Sequence, residues 1–361
     1  MPQTTSNDAS PPEDANQHFD AIRSVLADCV AREGGRLESC TVERVISRPY
    51  STIVVLAGDT GTGRSRFVAK TTVHHAHNQR VVEQENQAVV EYEALKKLYE
   101  SFQDIEGCSV PCPLAVLPQI DTYLMRFVEG DELADLSRYS RYLSPTEKFE
   151  SLQRHYFLCG RWLKHFQQTT GIREGNVRAA EVVVQRCEEL MERIDKENPG
   201  RRAPNLAGKV MGDLEGELER LDDSKVLVTG RHGDFGPWNV LANSQGIVVL
   251  DFFGCNEGPT QVDALRMLVY LDDEKRCLTN SAAHVDRLQE RFLEGYGPAS
   301  HTPAALNRIC ETQQRLISLV DAYSLSKAGR AHHRLAARRC IHAHLRWLSQ
   351  GKDKKLLWSN S

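Results

Sequence analysis

Apolar positions change period several times along the chain. Between residues 18 and 33 they fall at Phe19, Ile22, Val25, Leu26 and Val30, the spacing of a helix. Gly34-Gly35 ends that pattern. Strand-like pieces come next at 41–47, 52–57 and 66–72, and the GDTGTGR segment between the last two predicts a hairpin turn. Helical spacing returns over 82–100, where Val89, Tyr92, Leu95, Leu98 and Tyr99 would share one face. Pro111, Pro113 and Pro118 punctuate the next stretch, and TYLMRFVEG predicts a strand running into a glycine turn. A meander, a helix and further strands together predict a small α+β lobe ending near Gly130.

The remainder is mostly helical in pattern. Residues 148–170 and 179–197 are long amphipathic candidates, and Asn198-Pro199-Gly200 breaks the chain after the second. Short apolar runs at 226–229 and 247–250 flank the segment RHGDFGPWNVLAN, and helical spacing resumes after Gly258-Pro259 to about Ser349. The division expected is a polar, disordered lead-in over 1–17, a first lobe over 18–129, a second over 130–350 and a tail over 351–361.

Composition narrows the class. With 361 residues, 40% hydrophobic and 26% charged, the chain can bury a core and stay in solution. A net charge of -4 gives no global reason to expect nucleic acid as a partner. No apolar run is long enough to span a membrane and the first residues do not resemble a secretory signal, so a cytoplasmic protein is expected. The ten cysteines form no regular framework, which favours reduced thiols.

The chemistry concentrates in one region. His232-Gly233-Asp234-Phe235-Gly236-Pro237-Trp238-Asn239 is followed by an alternating NVLANSQGIVVLD with a polar turn at Asn243 to Gly246. A hairpin there brings Asn239 and Asp251 to the same end. One carboxylate and one amide oxygen, completed by nucleotide phosphates, suit Mg2+. Asp234, five residues before Asn239, is placed to orient a hydroxyl and accept its proton.

HGDFGPWN resembles the HxDxxxxN catalytic loop of the aminoglycoside phosphotransferase and choline kinase group, and DFFG stands where that group carries its metal-binding Asp. The resemblance spans roughly residues 40–270. It implies a bilobal protein-kinase-like fold and an ATP-dependent small-molecule kinase. In it Asp234 is the base, Asn239 and Asp251 hold Mg2+, His232 braces the loop and Asp263 anchors it. It further implies Lys70 on the third strand as a phosphate contact, a helix carboxylate paired with it (Glu91, with Glu93 as rival), and Met125 and Phe127 at the nucleotide site beside a hinge at 126–130. The acceptor implied is a hydroxyl of a sugar, glycan or amino alcohol.

Departures matter too. The first hairpin lacks GxGxxG, leaving Ser47 and Ser51 as candidate phosphate contacts. Gly236 stands where protein Ser/Thr kinases usually carry a Lys, and no APE-like segment comes after DFFG, which favours a small acceptor. The alternatives are a nucleotide-binding pseudokinase scaffold and a protein kinase. His74, His75 and His77, the pair His332-His333, and His342 with His344 lack metal-site spacing. Asp272-Asp273-Glu274 is read as a solvated loop, or else as part of a pocket for a cationic acceptor. From Lys327 onward nine Lys/Arg face one Asp, with Arg330, Arg334 and Arg338 on one helical face, so this segment is a solvated surface or touches something anionic.

Overall fold

The computed structural model describes residues 13–48, 50–61, 63–73, 86–139, 146–197, 205–222, 226–252, 256–277, 280–297, 303–351 and 356–358, the first five by backbone only. The chain divides into two compact units, Met1–Gln103 with Val110–Val128, and Asp104–Ser109 with Glu129–Ser361. The break at Asn198-Pro199-Gly200 and the cluster His74, His75 and His77 lie outside the described residues.

The first unit opens with α1 (Glu13–Arg32), which begins inside the stretch read as a lead-in. Strands β1 (Ser39–Ser47), β2 (Ser51–Asp59) and β3 (Arg64–Thr72) form the expected meander. The turn between β2 and β3 is closed by Thr60, whose N–H and hydroxyl both donate to Gly63 O, at 2.9 and 2.8 Å. Helix α2 (Gln87–Ser101) comes next. The two-residue strand β4 (Cys108–Ser109) belongs to the second unit, and β5 (Pro113–Leu117) and β6 (Thr122–Arg126) complete an antiparallel sheet in the order β1-β2-β3-β6-β5. Ile22, Leu26 and Val30 of α1, one turn apart, pack on Leu56, Phe67, Leu117 and Leu124 of the sheet. Burying such side chains stabilises by roughly 1.5–3 kcal/mol each and fixes α1 against this face.

Helix α2 departs from its apolar pattern. Its buried residues are Gln87, Ala88, Glu91, Leu95 and Leu98, whereas Val89, Tyr92 and Tyr99 are only half-buried. The stripe is rotated toward Glu91 because that carboxylate pairs with the buried ammonium of Lys70 on β3.

The second unit contains β7 (Asp131–Glu132), α3 (Leu133–Tyr139), α4 (Thr146–Thr170), β8 (Arg173–Glu174), α5 (Val177–Glu197) and α6 (Leu206–Leu218). Next come β9 (Leu227–Arg231), β10 (Val240–Asn243), β11 (Gly246–Val249) and β12 (Asn256–Pro259). Helices α7 (Gln261–Glu274), α8 (Ala282–Tyr296), α9 (Ala304–Ala328) and α10 (Ala331–Ser349) close it. Two small sheets result, β4-β11-β10-β7 and β12-β9-β8. The pairing of β12 with β9, from Asn256↔Arg231 to Pro259↔Val228, was not expected. Its Gly-Pro end looks like a break, but a proline is tolerated at the end of an edge strand.

Helices α4 and α8 cross closely through two glycines. A Cβ on Gly160 would run into Phe292 O, and one on Gly295 into Phe157 O. This contact holds Tyr156, Trp162, Leu163 and Phe166 of α4 in the core, each at most 1% exposed. Near the C-terminus Trp358 is buried and stacks edge-on to Tyr296, with ring centroids 5.2 Å apart.

Asp272-Asp273-Glu274 is not a solvated loop, because it forms the last turn of α7, and its first two carboxylates are paired internally rather than open to a cationic acceptor. Asp272 meets Arg315 at 3.1 Å, and Asp273 meets His344 at 2.9 Å and accepts the Ser318 hydroxyl.

Candidate active site

The loop after β9 is shaped by small residues and aromatic packing. Gly233 has φ +86°, in the left-handed region that favours glycine, and a Cβ on Gly236 would run into the Trp238 ring. Phe235 is fully buried and stacks on Trp162 at 5.5 Å. Trp162 is itself held by its Nε1–H, which donates to Ser109 O at 3.1 Å. The half-exposed carboxylate of Asp234 lies between these anchors. Its Oδ2 accepts Trp238 Nε1–H at 2.9 Å and Asn239 Nδ2–H at 3.3 Å, while Oδ1 accepts from Arg266 at 3.3 Å.

His232 and Asp263 brace this loop from below. His232 is fully buried among Trp162, Phe235 and Phe252, and its Nε2 lies 2.9 Å from Leu250 O. A carbonyl can only accept, so Nε2 carries the hydrogen. The His232 bond therefore ties the loop to the end of β11. Asp263, in the first turn of α7, accepts His232 N–H at 2.7 Å and Gly233 N–H at 3.1 Å. Burial pushes its carboxyl above the ordinary 3.8, opposed by His232, Arg231 and the two N–H donors.

The hairpin brings Asn239 and Asp251 together. Strands β10 and β11 pair from Val240↔Val249 to Asn243↔Gly246, and Leu250 N–H donates to Asn239 O at 2.8 Å. Asn239 gives its amide hydrogens to Asp234 O at 3.0 Å and to Asp234 Oδ2, which leaves the amide oxygen as the acceptor end. Asp251 stands directly after the hairpin with φ +67°. One amide oxygen and one carboxylate fit a hard, oxygen-seeking cation that keeps ligands from solvent and phosphate. Among the described residues no cluster of three His, Cys, Asp or Glu could form a closed metal cage. Phe253 and Gly254 of DFFG lie outside the described residues.

The first unit carries its own polar centre. Lys70 of β3 lies opposite Tyr123 of β6, and its Nζ meets Glu91 Oε2 at 2.8 Å. Tyr123 OH donates to the same oxygen at 3.0 Å. Lys70 and Glu91 are 6% and 2% exposed, so the pair is shielded from solvent, whereas Glu93 is exposed on the opposite side of α2. Met125 pairs with Val68 across the sheet, and Phe127 lies under the Arg66 guanidinium at 4.0 Å. Both side chains are half-buried. Ser51 is buried at the start of β2 and Ser47 is exposed at the end of β1.

Two residues of this neighbourhood escaped the sequence reading. Arg266 on α7 bonds Asp234, lies 4.8 Å from the Trp238 ring and meets Asp321 of α9 at 3.6 Å. The available signal was the three-residue spacing from Asp263, which puts both on the loop-facing side of one helix. Asp321 has no local signal, since it reaches Arg266 only through the packing of α9 on α7.

Comparison with known proteins identifies the family and the fold. Residues 44–307 match the model of the phosphotransferase enzyme family. Solved structures similar to this chain include glucosamine kinase in complex with glucosamine, ADP and inorganic phosphate, at 14% identity over 89% of this chain and 98% of that one, with a TM-score of 0.53. A Ralstonia eutropha JMP134 protein provisionally assigned as an aminoglycoside phosphotransferase aligns at 14% identity over 92% and 99%, with a TM-score of 0.55. Amicoumacin kinase in complex with AMP-PNP, Ca2+ and Ami aligns at 14% over 91% and 96%, with a TM-score of 0.51. No curated protein sequence matches the chain. These structures share the kinase-like fold, and the family match covers most of the chain, including the loop, the hairpin and the Lys70–Glu91 pair. The chain therefore belongs to the phosphotransferase enzyme family, and is an ATP-dependent phosphotransferase.

Proposed function

We propose that the enzyme phosphorylates a hydroxyl of a small molecule, a sugar, glycan or amino alcohol, with Asp234 as the base. The carrying observation is the fixation of the Asp234 carboxylate by three donors on a loop that is itself tied at Asp263 and Leu250. A base held this way can take the acceptor proton without reorganising, a contribution of about two orders of magnitude or more. The acceptor oxygen then forms a bond to the γ-phosphorus as the bond to the β-phosphate oxygen breaks, and ADP leaves with the electron pair.

Asn239 and Asp251 would hold Mg2+ through their side-chain oxygens, and the ion would supply charge neutralisation for the phosphates. Lys70, oriented by Glu91 and Tyr123, contacts the phosphates, and Met125 and Phe127 contact the nucleotide base. Use of ATP and the free thiols of the described cysteines support a cytoplasmic location. The names of the similar structures, glucosamine and amicoumacin kinases, support a small polar acceptor over a protein.

The test is a panel of sugars, amino sugars, amino alcohols and a generic protein substrate with labelled ATP and Mg2+, run on the wild type and on Asp234→Asn. Transfer to a small acceptor that drops at least about a hundredfold in a folded Asp234→Asn supports the reading. Nucleotide binding without transfer or hydrolysis would favour a pseudokinase scaffold, and transfer to protein alone would favour a protein kinase.

A further inference from the structure

We propose that the exposed face of α10 is a docking surface for an anionic phospholipid membrane. Helix α10 carries Arg334, Arg338, Arg339 and Arg346, with Arg330 at its N-cap, and no Asp or Glu between residues 330 and 349. Arg330 lies outside the helix proper, so the cationic face is built by the other four with His342 rather than by a row starting at Arg330. All of these side chains are exposed, while Ala337, Cys340, His344, Trp347 and Leu348 are buried on the opposite face.

Several surface arginines elsewhere in this unit are neutralised by neighbours, although the isolated Arg154 and Arg178 are not. Arg287 meets Glu290 at 2.9 Å, Arg186 meets Glu189 at 2.6 Å, and Arg291 pairs with Glu294. Among the described residues, Arg334, Arg338, Arg339 and Arg346 make no such pair. In a chain of net charge -4, this is a marked segregation of positive charge. Unpaired like charges on one helix repel, and an external anion relieves that cost.

Three features point to a lipid surface rather than another polyanion. The face is the convex outside of a helix, which meets a flat surface and cannot enclose a small ligand. Leu335, 46% exposed, projects from the middle of the arginines, and Leu325, 44% exposed on the last turn of α9, lies beside Gly329 where α10 begins. An aliphatic side chain among cations suits the headgroup–acyl boundary, where phosphate and hydrocarbon are adjacent. The exposed aromatics of this helix are the imidazoles of His332 and His342 alone; no Phe, Tyr or Trp, the stronger stacking platforms for single-stranded nucleic acid, is exposed on it.

The experiment is co-sedimentation of the full chain with vesicles of phosphatidylcholine alone and of phosphatidylcholine containing about 30% phosphatidylserine, at about 0.1 M salt and about 0.5 M salt. Binding is expected to the anionic vesicles only and to be lost at high salt. The double variant Arg338→Gln/Arg339→Gln should weaken it by about tenfold or more, and Leu335→Ser should weaken it severalfold. Melting temperatures of the variants, expected unchanged, establish that they fold. Should a variant melt early, Arg334→Gln/Arg346→Gln repeats the test at separate positions. Equal binding to both vesicle types, no binding, or binding indifferent to the arginines would overturn the proposal. Unchanged binding in Leu335→Ser, or tighter binding to a single-stranded RNA at the same salt, would also overturn it.

Discussion

Asp263 accepts the backbone N–H groups of His232 and Gly233, so a carboxylate on α7 fixes the two residues immediately before Asp234. Each carboxylate oxygen has one donor. Asp263→Asn turns one acceptor into an amide donor that faces an N–H. The buried mismatch should destabilise by about 1–3 kcal/mol and displace Asp234. Expected outcomes are a lower melting temperature and a turnover loss larger than any change in nucleotide affinity. A variant with wild-type melting and turnover would remove the anchoring role.

Lys70 and Glu91 form a shielded pair, so removing one partner acts on the other. Glu91→Gln removes one carboxylate from beside a buried ammonium and should lower the melting temperature. The apolar double variant Lys70→Met/Glu91→Leu should recover much of that stability and still bind ATP poorly. Thermal melts with and without nucleotide separate the two effects. Strict additivity of the single changes would show that the residues do not act as one unit.

The parts legible in the sequence are those set by local pattern. The β10–β11 hairpin followed from alternation around a polar turn, and the β1–β3 meander from alternation around glycines. Helix α2 was placed correctly but its buried face was not, because hydrophobic spacing has no means of knowing that Glu91 will find Lys70. The same blindness applies to Asp272 and Asp273. A run of three acids looks solvated until Arg315 and His344, more than forty residues away, are folded against it. Asp321 was invisible for that reason too, since it reaches Arg266 only across packed helices.

The Asp273–His344 contact sets a pH dependence. Burial alone would raise the Asp273 carboxyl, but His344, the Ser318 hydroxyl and Arg276 outweigh it and hold it below its ordinary 3.8. A carboxyl depressed on folding adds stability above 3.8, and that contribution is lost as pH falls from 3.8 through the folded value. Asp273→Asn should lower the melting temperature at neutral pH and shrink the further drop below this range. Parallel melting curves against pH for wild type and variant would contradict the pairing.

Arg266 holds the open side of Asp234 through Oδ1. Arg266→Gln should loosen the carboxylate and lower kcat by about tenfold or more, since small misplacements of a catalytic group are costly. The KM for ATP should stay near wild type because Arg266 belongs to the acceptor side in this reading. A selective rise in ATP KM with unchanged kcat would assign it to the nucleotide instead.

Asp251 lets metal binding be separated from backbone strain. Its φ of +67° lies in the left-handed region, which costs an ordinary residue roughly 1–2 kcal/mol and which Asn and Gly adopt more readily. Asp251→Ala should therefore lose stability and Mg2+-dependent nucleotide binding together. Asp251→Asn should keep the melting temperature and lose most of the Mg2+ effect, because an amide oxygen is a weaker ligand than a carboxylate. Asp251→Gly should relieve the strain and melt at or above the wild-type temperature with the Mg2+ effect gone. Nucleotide titrations with and without Mg2+, read beside thermal melts, give both quantities for each variant. If Asp251→Gly retained the full Mg2+ effect, the carboxylate would not be a metal ligand and the conformation at this position would be serving the hairpin alone.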